Sequence, residues 1–237
     1  MSASTDPHRA RSHHAGPRGL LDAAWRPAGL VYLACCLAGL LAGLYPQAVY
    51  PARSAVTAAP LPALRTLAVA QALFILLVQP LIALRRAERG LARRYWAETI
   101  LESATWLVAT VPFYTAAAYL GDATAVDVLR TAVYLACLWP VAWAAGALLA
   151  RRGAARAPVV LLLLVAAALP GVHYLFREFL PVYRAAWLWQ LAPATAAWDA
   201  AASRAGTLLP RPLWSLAAWP AVALALLAGS VLGKQPR

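Results

Sequence analysis

Six apolar stretches divide the chain, separated by arginine-rich or Pro/Gly-rich breaks. They run over residues 28–49, 62–84, 99–120, 126–150, 157–176 and 212–233. A helix crossing the hydrocarbon core of a bilayer needs roughly 20 mostly apolar residues, and each stretch is close to that length. The pattern predicts an all-α polytopic membrane protein with six transmembrane helices. Pro140, inside "CLWPVAW", is expected to kink the fourth helix, because neighbouring helices can satisfy the carbonyl it frees. Pro170 falls near the end of the fifth, where "LPGVHYLF" is expected to form a broken last turn.

Two other stretches read as lying on the membrane surface. Residues 19–29, "GLLDAAWRPAG", mix Leu20, Leu21 and Trp25 with Asp22 and Arg26. That mixture suits a short interfacial helix ahead of the first span. Residues 177–212, between spans five and six, carry Tyr183, Trp187, Trp189 and Trp198, aromatics of the kind found in interfacial belts. One or two short helices are expected here, dipping partly into the outer leaflet. Residues 1–18 are expected to be a disordered cytoplasmic tail, and 19–237 a single six-helix transmembrane domain. His8, His13 and His14 fall in that polar tail, where solvation is favoured over metal binding.

Charge sets the orientation. Hydrophobic residues make up 62% of the chain and charged ones 13%, about half the charged share usual for soluble domains. The net charge is +12, but the arginines punctuate apolar segments and form no basic stripe, so a nucleic-acid partner is not expected. Fourteen of the 21 basic residues precede span one, lie between spans two and three or four and five, or follow span six. The other seven lie on the opposite side. The positive-inside rule then puts both termini in the cytoplasm.

Candidate chemistry is sparse. Glu98 and Glu102, at i and i+4, share one face near the inner end of span three. An ion-pair cluster with the arginines upstream is favoured over a proton relay. Asp127 or Thr124 is expected to cap span four, and Arg130 to snorkel to the outer interface. Gln71 and Gln79 are candidates for interhelical hydrogen bonds. The glycine pairs Gly39/Gly43 and Gly229/Gly233 have the GxxxG spacing that lets helices approach closely, a pattern that also arises by chance. Cys35, Cys36 and Cys137 fall inside spans and read as small buried side chains, without a disulfide framework or metal spacing. His173 reads as a structural, hydrogen-bonded residue. No nucleophile elbow, zinc motif or phosphate-binding loop is present, so neither an enzymatic role nor a cofactor is expected.

Taken in order, several segments resemble the ABC-2 type transporter permeases. Residues 63–90, "ALRTLAVAQALFILLVQPLIALRRAERG", are similar to the family's second span, with Pro80, a short apolar run and the pair Glu88-Arg89. Residues 109–139 resemble its third-to-fourth span hairpin, with Pro112 inside the helix and Gly121 at the turn. "VVLLLLVAAALPGVHYLF", then "LWQLAPATAAWDAA", resemble the fifth span and the loop that follows. The resemblance implies a permease subunit in a bacterial cytoplasmic (inner) membrane, forming a homo- or heterodimer. ATP would be hydrolysed by a separate P-loop ATPase on the cytoplasmic face. Its contact would fall over Arg85 to Trp96, making Arg85, Arg86, Glu88, Arg89, Arg93 and Arg94 the candidate coupling residues. In the family the segment after the Glu-Arg pair is longer and includes a coupling helix; here ten residues separate Glu88 from the expected start of span three. The alternative is a non-transporting membrane scaffold or assembly protein of the same architecture.

Overall fold

The computed structural model describes residues 27–49, 63–88, 92–121, 123–150, 156–179, 192–201 and 214–232. All regular structure among them is helical. The elements are α1 (Pro27–Val49), α2 (Ala63–Leu73), a π-turn (Phe74–Val78), α3 (Gln79–Glu88), α4 (Ala92–Ala109), α5 (Val111–Gly121), α6 (Ala125–Leu149), α7 (Arg156–Phe179), α8 (Pro193–Ala200) and α9 (Trp214–Leu232). Among the described residues, three segments are long and apolar enough to cross a bilayer: Pro27–Leu44, Ala63–Arg85 and Ala125–Leu149. They mark the chain as a helical membrane protein. The expected interfacial helix over 19–29 lies outside the described residues, except where α1 begins at Pro27.

α1 and α2 form an antiparallel pair, and its closeness follows from two glycines. A methyl group at Gly39 would fall 2.8 Å from the Ala70 side chain and 3.0 Å from the Thr66 carbonyl. At Gly43 it would run into the backbone of Ala63. The GxxxG spacing therefore builds a backbone-to-backbone interface in this case. Of the second pair, Gly229 lies in α9 and Gly233 outside the described residues. Gly146 plays the same part elsewhere, seating α6 against Pro80, Ala83 and Leu84 of α3. These contacts make α6 parallel to the α2–α3 rod, with the last turns of both at one end of the bundle. That end, which also receives the start of α4, is the arginine-rich end.

Proline positions explain most of the irregularity. Pro80 has no N–H for the Leu76 carbonyl, and its ring crowds that carbonyl. The turn before it widens instead, with the Gln79 N–H donating to the Phe74 carbonyl, five residues back. The distortion at Pro80 thus takes the form of a π-turn, and the rod continues on either side. At Pro112 the departure is larger. The single helix expected over 99–120 is two, α4 and α5, divided at Thr110. Thr110 closes α4 with its N–H to the Trp106 carbonyl at 3.0 Å and its hydroxyl to the Leu107 carbonyl at 2.7 Å. Its own carbonyl then accepts from Phe113 and Tyr114 and opens α5. Pro112 sits in the first turn of the new helix, where a missing donor costs nothing. Pro140 and Pro170 lie inside α6 and α7, which run on through them. The broken turn expected at "LPGVHYLF" is therefore continuous helix.

Four aromatic rings fill the centre. Tyr32 of α1 stacks on Trp106 of α4 at 5.3 Å between centroids, and Phe74 and Trp139 meet these rings at tilted or edge-on angles. All four are at most 2% exposed. Because they come from α1, the π-turn, α4 and α6, the cluster binds the bundle across its middle, and such offset and edge contacts are the ones aromatic pairs prefer.

Candidate functional site

The interior carries polar groups on both sides of the aromatic cluster. Toward the end opposite the arginines, the Tyr114 hydroxyl of α5 donates to Gln71 Oε1 of α2 at 2.5 Å, and Gln71 Nε2 donates to Cys36 Sγ of α1 at 3.4 Å. Three helices are joined by one buried amide, because a polar side chain shut away from water needs partners within the protein. The Tyr32 hydroxyl lies beside this chain, flanked by Cys36 and Thr110. Gln71 was legible as an interhelical bonding residue. Tyr114 and Cys36 were not, since neither position differs in pattern from an ordinary apolar one.

Toward the arginine-rich end lie Gln79 of α3 and Thr99, Glu102 and Ser103 of α4, all nearly or wholly buried. Trp143 Nε1 of α6 donates to Ser103 Oγ at 3.1 Å. Glu98 is exposed while Glu102 is 2% exposed, so the two glutamates expected to act together are divided between surface and interior.

At the opposite end the short helix α8 is held inside the bundle against α2, α6 and α7. Pro193 starts it at the first helical position, and most of its alanines are buried. Arg130 Nε donates to the Ala200 carbonyl at 2.5 Å, and the Tyr134 hydroxyl donates to the Pro193 carbonyl at 3.3 Å. Both ends of α8 are thus fastened to successive turns of α6. Trp198 also receives the Arg65 guanidinium over its ring, 5.4 Å from the centroid. The expectation of a short helix within residues 177–212 holds here, and this one is buried against the neighbouring helices. Tyr183, Trp187 and Trp189 lie outside the described residues.

Arg130 was expected to snorkel outward. It is 6% exposed and pairs with Asp127 at 2.6 Å. Burial of Asp127 together with α8 explains the difference: the carboxylate and the Ala200 carbonyl offer partners that an interface would have to match. The capping expectation is met in full. Thr124 is the N-cap of α6, its hydroxyl accepting from the Asp127 N–H while the Asp127 carboxylate accepts from the Thr124 N–H.

Of the six candidate coupling residues, Arg85 lies exposed on α3, and Arg86 and Glu88 belong to the same helix. Arg93 and Arg94, expected in the connecting loop, are inside the first turn of α4, which begins at Ala92. Arg89 lies outside the described residues. The helices bring α3's end and α4's start together and leave only residues 89–91 between them. His173 belongs to α7.

The fold and interior define a helical membrane bundle with buried polar layers above and below an aromatic middle. No family model, no curated protein and no solved structure matches the chain.

Proposed function

We propose that this chain is the membrane-spanning permease subunit of an ABC-2 type transporter, energised by a separate ATP-binding subunit. The observation that carries the reading is the course of residues 63–88. A long apolar rod, distorted ahead of Pro80, ends in the arginine-rich run that includes Glu88. In this reading the chain has six spans with both termini in the cytoplasm of a bacterial inner membrane. Two such subunits pair, and the ATPase docks on Arg85, Arg86, Glu88, Arg89, Arg93 and Arg94. The interior offers hydrogen bonds and aromatic surface but few charges, which suits amphipathic or lipid-like cargo better than a small ion. Co-purification of a P-loop ATPase with the full chain tests the reading. Recovery of that ATPase, lost when Arg85, Arg86, Glu88 and Arg89 are replaced by alanine, is the expected result.

One observation favours a second reading. Only three residues join α3 to α4, which leaves no separate stretch for a coupling helix. A non-transporting scaffold or assembly protein has no need of one. Under that reading no ATPase is recovered, and the alanine replacements leave the set of bound partners unchanged.

A further inference from the structure

The described arginines are not held alike. At one end of the bundle Arg130 is buried against Asp127 and the Ala200 carbonyl, and Arg65 lies over the Trp198 ring. At the other end Arg85 is exposed, and among the described residues no hydrogen bond, ion pair or ring contact holds it. Arg86 follows it on α3, Arg93 and Arg94 fall in the first turn of α4, and Arg156 opens α7. The acids of this end are Glu88 on α3 and Glu98 and Glu102 on α4, and Glu102 is buried inside the bundle. α7 has none in its first turn. The α3 and α7 ends therefore carry Arg85, Arg86 and Arg156 against Glu88 alone.

Packing brings the end of α3 and the start of α7 to one small core. Leu84 of α3 lies against a buried cluster that joins Leu148 and Leu149 of α6 to Val159 and Leu163 of α7. Arg85 is the next residue after Leu84, and Arg156 comes one turn before Val159. The positions one turn further into the apolar part of each helix are exposed. Leu81 shares a face of α3 with Arg85, and Val160 and Leu164 follow Arg156 on α7 at the same i, i+4 spacing. Each helix thus presents to the bilayer an apolar stripe that ends at an arginine.

Stripes of this kind match a phospholipid, with acyl chains along the apolar positions and a phosphate level with the arginines. Arginine suits that partner, because its guanidinium gives two parallel hydrogen bonds to a phosphate. The excess of cations favours a headgroup with a net negative charge over a zwitterionic one, whose ammonium these arginines repel. We propose that the surface formed by the end of α3 and the start of α7 binds an anionic phospholipid. Arg85 and Arg156 take its phosphate, and Leu81, Val160 and Leu164 line its acyl chains. The proposal rests on the chain spanning a membrane and not on an ATPase coupling to it.

Native mass spectrometry of the purified full chain, with no ATPase present, tests it. Phosphatidylglycerol and phosphatidylcholine of the same acyl chains are supplied in equal amounts. The parent is expected to retain phosphatidylglycerol in preference. Arg85→Gln and Arg156→Gln should each weaken that retention about fivefold, and the two together about 25-fold, with phosphatidylcholine unaffected. Arg65→Gln removes the same charge at the far end and should leave the preference intact. Equal retention of the two lipids by the parent overturns the proposal. So does a preference that survives the double replacement, or one that Arg65→Gln weakens equally, which marks an effect of net charge alone. Arg156 lies outside the residues assigned to ATPase docking, so failure of that docking and failure of lipid retention are read separately.

Discussion

Arg130 reaches back 2.6 Å to Asp127, one turn earlier on α6, and the two side chains are only 5% and 3% exposed. The same guanidinium donates to the last turn of α8 through the Ala200 carbonyl. One cation therefore answers both a buried carboxylate and the negative end of a short helix. The pair joins elements 70 residues apart in the chain.

Replacing Arg130 by Met leaves the Asp127 carboxylate bonded to Thr124 but without its cation, and takes the guanidinium donor from the Ala200 carbonyl. Removing one member of a buried ion pair costs about 3–5 kcal/mol. The expected outcome is a correspondingly lower unfolding midpoint in detergent, with the Asp127→Asn/Arg130→Met double variant recovering most of the loss.

The glycine contacts predict a contrast. Gly43→Leu forces α1 off the backbone of Ala63, and overpacking of this kind costs about 1–3 kcal/mol or more. Gly171 on α7 has nothing within 4 Å of a built methyl group. Gly171→Ala should be neutral, or stabilising by up to about 1 kcal/mol through helix propensity. Chemical or thermal unfolding of the two variants side by side checks the difference.

Gln71 and Tyr114 should be energetically coupled. Hydrogen bonds between membrane helices average about 0.6 kcal/mol and reach about 1.7. With its 2.5 Å separation, the Tyr114–Gln71 bond is expected in the upper part of that range. A double-mutant cycle of Tyr114→Phe and Gln71→Leu measures it, and additive losses would count against the bond.

The orientation follows from arginine placement and is open to labelling. With Cys35, Cys36 and Cys137 replaced by alanine, a cysteine at position 90 should react with an impermeant reagent only after the membrane is opened. Reaction in intact cells would reverse the assignment of both termini.

What the chain disclosed in advance was what short-range chemistry determines. The apolar runs at α1, α2–α3 and α6 announce themselves by length, and Thr124 with Asp127 is a four-residue cap that needs no tertiary context. The aromatic middle was not legible, since Tyr32, Phe74, Trp106 and Trp139 come from four elements and each alone resembles any apolar residue of its span. Pro112 gave notice of an irregularity but not of its outcome, which depended on Thr110 being able to end one helix and begin the next. Burial of α8 was hidden as well. "PATAAWDA" has little apolar bulk, and it is drawn inward by Arg130 and Tyr134, 70 and 59 positions away.

The π-turn at Phe74–Val78 also sets an angular phase. Each residue of an α-helix advances about 100° around its axis, and the wide turn absorbs nearly one residue of that advance. The half of the rod bearing Gln71 and the half bearing Arg85 are therefore offset in azimuth from a uniform helix of the same sequence. Deleting one residue from Phe74–Val78 would let the segment close as plain α-helix. It would leave Gln71 facing Tyr114 and keep Pro80, Ala83 and Leu84 against Gly146, whereas closing the turn with every residue retained would swing them about 100° away. One wide turn is what allows a single rod to present two differently aimed faces.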